Sequence, residues 1–267
     1  MRRVPRPIIL TPNARIWPSV LYQTSTLELH RDGRRLLSDP GASTWEIAEA
    51  AGDGVQDILL THADWDHVLG IGILREATVH ASPLAAERIK SGDARASVES
   101  QAPQFYLDFV DLDGLRVDHA VSLPSDEGAG AWAAHYEPSP GHTPDGMTTW
   151  FPDEDVLVVG DYLSELEIPF VYDSISAYRE TMQRMIDRIS EWRPAFVVVG
   201  HGPPHDAETA LRIATEDLKY VTSLDAFIRG GGTVEGADSV AHPKRSPGDA
   251  NAHRTNITTA LEAAEAG

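Results

Sequence analysis

Residues 61 to 67 read Thr-His-Ala-Asp-Trp-Asp-His and follow directly on Asp57 to Leu60, a short apolar run that reads as a strand. His62, Asp64, Asp66 and His67 at the end of a strand cannot all be ordinary core. Carboxylates and imidazoles crowded into a buried place repel and lose hydration unless a cation balances them. This heptad constrains the fold more than any other stretch, because the rest of such a site must come from distant parts of the chain. Cysteine is absent from the 267 residues, so only His, Asp and Glu remain as strong metal ligands. Disulfides, thiolate sites and cysteine nucleophiles are excluded with it.

Three further segments share the local logic. Pro140-Gly141-His142-Thr143-Pro144 is a rigid turn that presents one imidazole. Leu157 to Asp161 is a buried run ending in a glycine and a carboxylate, and Val197 to Gly202 repeats that form around His201. Glycine beside each of these side chains permits close approach and unusual backbone angles.

Between these points, β-type and helical runs alternate. Val20–Leu29 and Arg34–Ser38 read as paired strands around the Asp32-Gly33 turn. Further strands are expected at Thr78–Ala81, Leu115–Leu123, Ala131–Glu137, Met147–Phe151, Asp155–Val159 and Ala195–Val199. Ser43 is placed to cap a helix through Ala51, and Ser82-Pro83 to open one through Lys90. Residues 91–113 read as an irregular or short helical insertion with three aromatics, Phe105, Tyr106 and Phe109, which could form a lid or cover a sheet edge. Ser176–Trp192 and Asp206–Ile228 have helical spacing. Gly230-Gly231-Gly232 marks a composition break, so the expected organisation is a domain over 1–230 and a tail over 231–267 with a terminal helix at Asn256–Ala266. The order of elements predicts an α/β or α+β class with two sheets.

Taken in order, the His-x-x-x-Asp-His run, Gly-His-Thr, Gly-Asp after a strand and the late Gly-His-Gly make the chain resemble the metallo-β-lactamase superfamily over roughly residues 16 to 228. The resemblance implies a four-layer αββα sandwich with the metal site at one edge of the sheets. It implies that His62 and His142 hold one divalent ion, that Asp66, His67 and His201 hold a second, and that Asp161 bridges both. Asp66 is then the residue that orients the attacking water. The family usually has a second histidine where this chain has Asp64, which makes Asp64 the seventh expected ligand. With two divalent ions and three carboxylates, one net positive charge remains. Zinc is the expected ion, and the added oxygen ligand brings in manganese or iron.

The implied activity is metal-dependent hydrolysis of a small ester, lactone, thioester or amide. The carboxylate-rich site also suits an iron enzyme handling oxygen, nitric oxide or sulfur, and a metal-stabilised binding module without activity is the third reading. A formal net charge of −19 disfavours nucleic acid as a partner. The only apolar run near the start is Ile8 to Leu10 between Pro7 and Pro12, so neither secretion nor membrane insertion is expected and a cytoplasmic location follows. His30, His80, His119, His135, His205, His242 and His253 are expected on the surface or in satisfied core positions, with His205 the best candidate for an exception. Asp39 is expected behind the site rather than on the metal, and Trp65, Tyr162 and Glu165 are candidates for contact with substrate.

Overall fold

The computed structural model describes residues 6–41, 44–52, 54–105, 107 and 111–266. Seven strands form one sheet in sequential order: β1 (Ile8–Thr11), β2 (Ala14–Pro18), β3 (Ser25–Arg31), β4 (Arg34–Ser38), β5 (Asp57–Leu59), β6 (Thr78–Ala81) and β7 (His119–Ala120). The first four are antiparallel and the remainder run parallel from β4 onward. The second sheet has the order β11-β10-β9-β8, from β8 (His135–Pro138), β9 (Met147–Phe151), β10 (Val156–Val158) and β11 (Phe196–Val198).

Alternation along the strands dictates the layers. Leu36, Leu59, Val156, Val158 and Val198 point into a core between the sheets with Ile16, Leu27, Trp132 and Phe151. Their neighbours Leu37, Ile58 and Leu60 point outward beneath α1 (Thr44–Ala51), α2 (Trp65–Val68), α3 (Pro83–Ser91) and α4 (Asp93–Gln101). Leu157, Val159, Val197 and Val199 point outward on the other side, under α5 (Ile175–Trp192), α6 (Ala207–Arg229) and α7 (Asp249–Ala266). A strand that buries both faces must be apolar at every position, which accounts for the unbroken runs at 156–159 and 197–199. The result is an αββα sandwich.

Ser82 caps α3 through the Ala85 amide with Pro83 in the first turn, and Asp206 caps α6 through Thr209. The expected cap at Ser43, and the aromatics Tyr106 and Phe109, lie outside the described residues. Elsewhere the structure corrects the reading. The strand expected from Val20 begins only at Ser25, because Tyr22 and Gln23 take positive φ of 55° and 52° and turn the chain. Only His119–Ala120 pairs within 115–123, and pairing in 131–137 starts at His135. The hairpin of β1 and β2 had no sequence signal between Pro7 and Pro12. The terminal helix starts at Asp249 and places Ala252 and Ile257 in the core shared with α5 and α6. Among the described residues no helix is long and apolar enough to cross a membrane.

Candidate metal centre

The C-terminal ends of β5, β10 and β11 meet at one edge of the sandwich, and the β8–β9 connection brings His142 to the same place. Backbone bonds lock the junction: Met147 N to Thr61 O at 2.8 Å, Gly200 N to Gly160 O at 2.7 Å and Ser25 N to Gly200 O at 2.8 Å. Gly200 has to be glycine here, since a Cβ would overlap Asp161 Oδ1. Gly160, at φ +64°, turns the chain so that Asp161 faces the junction.

All seven expected side chains converge. His62, Asp64 and His142 offer ligand atoms within 4.8 Å of one another, and so do Asp66, His67 and His201. Asp161 lies between these groups, with Oδ1 3.1 Å from His67 Nε2 and Oδ2 3.3 Å from His142 Nε2, 3.2 Å from His201 Nε2 and 3.7 Å from His62 Nε2. Three of the four histidines are hydrogen-bonded through the other nitrogen, and His67 Nδ1 stands against a carboxylate. His62 Nδ1 meets Thr61 Oγ1 at 2.9 Å, His67 Nδ1 faces Asp39 at 3.3 Å, His142 Nδ1 meets Phe170 O at 2.9 Å, and His201 Nδ1 meets Tyr22 O at 3.1 Å. Four Nε2 atoms are thereby aimed inward, the outer-partner pattern that fixes ring orientation in metal sites. Asp39, with its carboxylate also on Thr61 N and Oγ1, stands behind His67.

The inner atoms of His62, His67 and His142, and Asp161 Oδ1, are buried without a hydrogen-bond partner. Orphaned polar atoms at this density are costly, and a cation satisfies them together. The electrostatics point the same way. Burial disfavours the charged forms of His67 and His142, yet neighbouring carboxylates, Asp161 foremost, lift both well above the usual histidine range. Burial likewise opposes charge on His201, but Asp161 raises it to about 9. For His62 burial prevails, helped by His67, and its affinity for a proton falls. Asp161, despite burial, is held well below the carboxylate range by His201, His67 and His62. The cluster thus draws in positive charge, and nitrogen and carboxylate donors suit divalent transition ions.

Asp64 has a partner that sequence reasoning missed. Its Oδ2 faces His142 Nε2 at 3.5 Å and His62 Nε2 at 3.7 Å, while Oδ1 accepts from Arg88 Nη2 at 2.8 Å. Arg88 also grips the buried Asp145 at 2.5 Å, and Asp145 accepts the Ala63 amide at 2.8 Å. One Asp64 oxygen is therefore turned to the centre and the other is neutralised from behind. Nothing in the local sequence of α3 signals this contact.

The centre floors a cleft of about 370 Å³. Trp65 and Tyr22 form one wall, with Phe105 stacked on Trp65 at 5.5 Å, so part of the 91–113 insertion does stand over the cleft. Phe170 and Tyr172 stack at 5.7 Å on the other side. Glu167 lines the cleft within 4.8 Å of Asp161 and His201 ligand atoms, whereas Glu165 pairs with Arg212 at an exposed position. Burial, with repulsion from Asp161 and Asp66, pushes the Glu167 carboxyl up to about 7. Tyr162 does not line this cleft; its buried hydroxyl donates to Ser139 O and accepts the His142 amide at 3.0 Å, which pins the histidine turn. His205 Nε2 meets Leu163 O at 3.1 Å, and His80 pairs with Asp57 at 3.0 Å.

With the sandwich and this convergence of side chains established, the sequence comparison is decisive: residues 20–201 match the model of the metallo-beta-lactamase superfamily, and the chain belongs to that family. Among curated proteins, the probable metallo-hydrolase YqgX of Bacillus subtilis (strain 168) is 26% identical over 192 residues, 70% of this chain and 89% of that protein. A metallo-β-lactamase family protein from Thermus thermophilus superposes with a TM-score of 0.62 at 18% identity, over 98% of this chain and 92% of its own. A stereoselective inverting sec-alkylsulfatase from a Pseudomonas species reaches 0.74 at 13% identity, over 96% of this chain and 49% of the larger enzyme. At the level of the family, the chain stands with metal-dependent hydrolases.

Proposed function

We propose that this protein is a hydrolase that holds two divalent ions and cleaves a small ester, lactone, thioester or amide. The observation that carries the reading is the set of inward Nε2 atoms, three of them fixed from behind by hydrogen bonds, around Asp161 at the floor of an aromatic cleft. His62, Asp64 and His142 would hold one ion and Asp66, His67 and His201 the other, with Asp161 within reach of both groups. Divalent ions supply Lewis acidity and lower the pKa of water at such a site. Asp66, whose Oδ2 accepts from Thr24 Oγ1 at 3.3 Å, lines the cleft, and its carboxylate would orient a proton of the attacking water. The aromatic walls offer a surface for the substrate's apolar part, and a cleft of this volume suits a small molecule. Supported by the acidic net charge, the reading excludes polyanionic substrates such as nucleic acid.

The test is elemental analysis of natively purified protein, followed by turnover of an ester, lactone, thioester, amide and phosphodiester panel with that metal restored. Turnover of a member of the first four classes, abolished by chelation, is expected. Fully metallated protein that is inert across the panel refutes the proposal and leaves a binding module. A second reading, an iron enzyme of oxygen, nitric oxide or sulfur chemistry, draws support from Asp64 and the nearby Glu167, since oxygen donors favour harder ions. Coloured, iron-containing protein favours it; colourless protein with two zinc ions sinks it.

A further inference from the structure

Two cavities adjoin the metal centre and share Tyr22, Glu167, Phe170 and His201 as a common wall. One is the aromatic cleft. The other, about 400 Å³, extends to Ser246, Gly248, Asp249 and Ala252 at the start of α7. Those residues lie outside the 20–201 span that matches the family model.

The lobe is built, not left over. Asn256 is fully buried; its Nδ2 donates to Pro169 O at 2.6 Å and its Oδ1 accepts the Val171 amide at 2.9 Å. Arg245 Nη1 donates to Glu167 O at 3.0 Å while its guanidinium pairs with buried Asp217 at 2.6 Å. The 167–171 part of the common wall is thus gripped at both ends by the C-terminal segment.

Its chemistry selects an occupant. Val20, Leu166, Ala252 and the two rings are apolar. Asp249 is occupied by the Ser246 amide and hydroxyl at 2.7 and 2.8 Å, which also uses up Ser246. Gln23 remains for hydrogen bonding, and no lysine or arginine stands among the described lining residues. A carboxylate-ended group entering here would lose hydration with no lysine or arginine to pair with it.

We infer that this second lobe is a substrate subsite for an uncharged, largely apolar arm, whose scissile carbonyl lies at the metal centre while the rest of the substrate occupies the aromatic cleft. The inference deepens the hydrolase reading and rests on it. The test compares esters with a short methyl arm, a long amide-ended alkyl arm and an isosteric carboxylate-ended arm. The amide-ended ester is expected to exceed the carboxylate-ended one at least tenfold in kcat/KM. Two variants narrow the lobe: Ala252→Phe from the α7 side, and Val20→Trp at a position 68% exposed, where folding is not at stake. Each is expected to cost the long-arm ester at least tenfold while the methyl ester stays within about twofold. Hydroxamates with the same arms, titrated by calorimetry, read the lobe without turnover and should lose the same factor in affinity. If no ester is cleaved but the long-arm hydroxamate still weakens in both variants, the hydrolase reading fails and the subsite stands. If folded, metallated Val20→Trp treats long and short arms alike in both assays, or the carboxylate arm is accepted equally, the subsite is overturned.

Discussion

Arg88 offers a sharp perturbation, because one guanidinium serves a candidate metal ligand and a buried structural carboxylate together. In Arg88→Met, Asp145, whose side chain is 0% exposed, keeps only the Ala63 amide. Removing one partner of a buried ion pair costs about 3–5 kcal/mol, and the 23% exposure of Arg88 places this case near 3 kcal/mol. Asp64 loses the group that turns Oδ1 away from the centre, and loss of such an outer partner weakens metal binding roughly 10–100-fold. Urea unfolding of the chelated protein should register the first effect, and competition with a chromophoric chelator the second. Arg88→Lys keeps the charge but cannot reach both carboxylates with one planar fork, so it should fall between wild type and Met. A double-mutant cycle with Asp64→Asn separates the routes. If Arg88 acts through Asp64, the double variant binds metal about as weakly as Asp64→Asn alone. Additive losses in affinity, or a folded Arg88→Met protein with unchanged affinity, refute the reasoning.

Three further outcomes are expected. Asp161→Ala should lose bound metal and hydrolysis together; a variant with full metal content and normal turnover shows that Asp161 is not shared between ions. Because His201 is raised to about 9, the metal-free centre is protonated at pH 7 and a cation must displace that proton. Apparent affinity should therefore climb between pH 7 and 9, with proton release measurable by calorimetry in buffers of different ionisation enthalpy; a flat profile contradicts the electrostatics. Asn256→Leu leaves Pro169 O and the Val171 amide without their partner, at about 1–3 kcal/mol each, and should lower the melting temperature while raising proteolytic cleavage near residue 170.

The convergent cluster was legible because most of its members sit beside a local signal: His62 and Asp66 after an apolar run, Asp161 and His201 after strands buried on both faces, and His142 in a Gly-Pro turn. Those signals are short-range and survive without tertiary context. Arg88 and Glu167 carry none. Arg88 reaches Asp64 across 24 positions, and only the docking of α3 makes the contact. Glu167 and Glu165 are both loop carboxylates by sequence, and backbone direction alone sends one to the cleft and the other to Arg212. The segment at Val20 misleads for a similar reason: Tyr22 and Gln23 bend at positive φ, which places the Tyr22 carbonyl behind His201. Composition there favours a strand; the turn is imposed from outside.

The rings of His62, His67, His142 and His201 are steadied by Thr61, Asp39, Phe170 and Tyr22, groups spread from the first sheet to the loop beneath α7. An ion seated among them would tie together, at one edge, parts of the polypeptide that the core between the sheets already brings side by side. Tight capture then has to come late in folding, once both sheets have docked and residues 167 to 171 are in place. Occupancy by metal accordingly reports that the whole sandwich has assembled, and a chelator should loosen the seam between the sheets before either sheet alone.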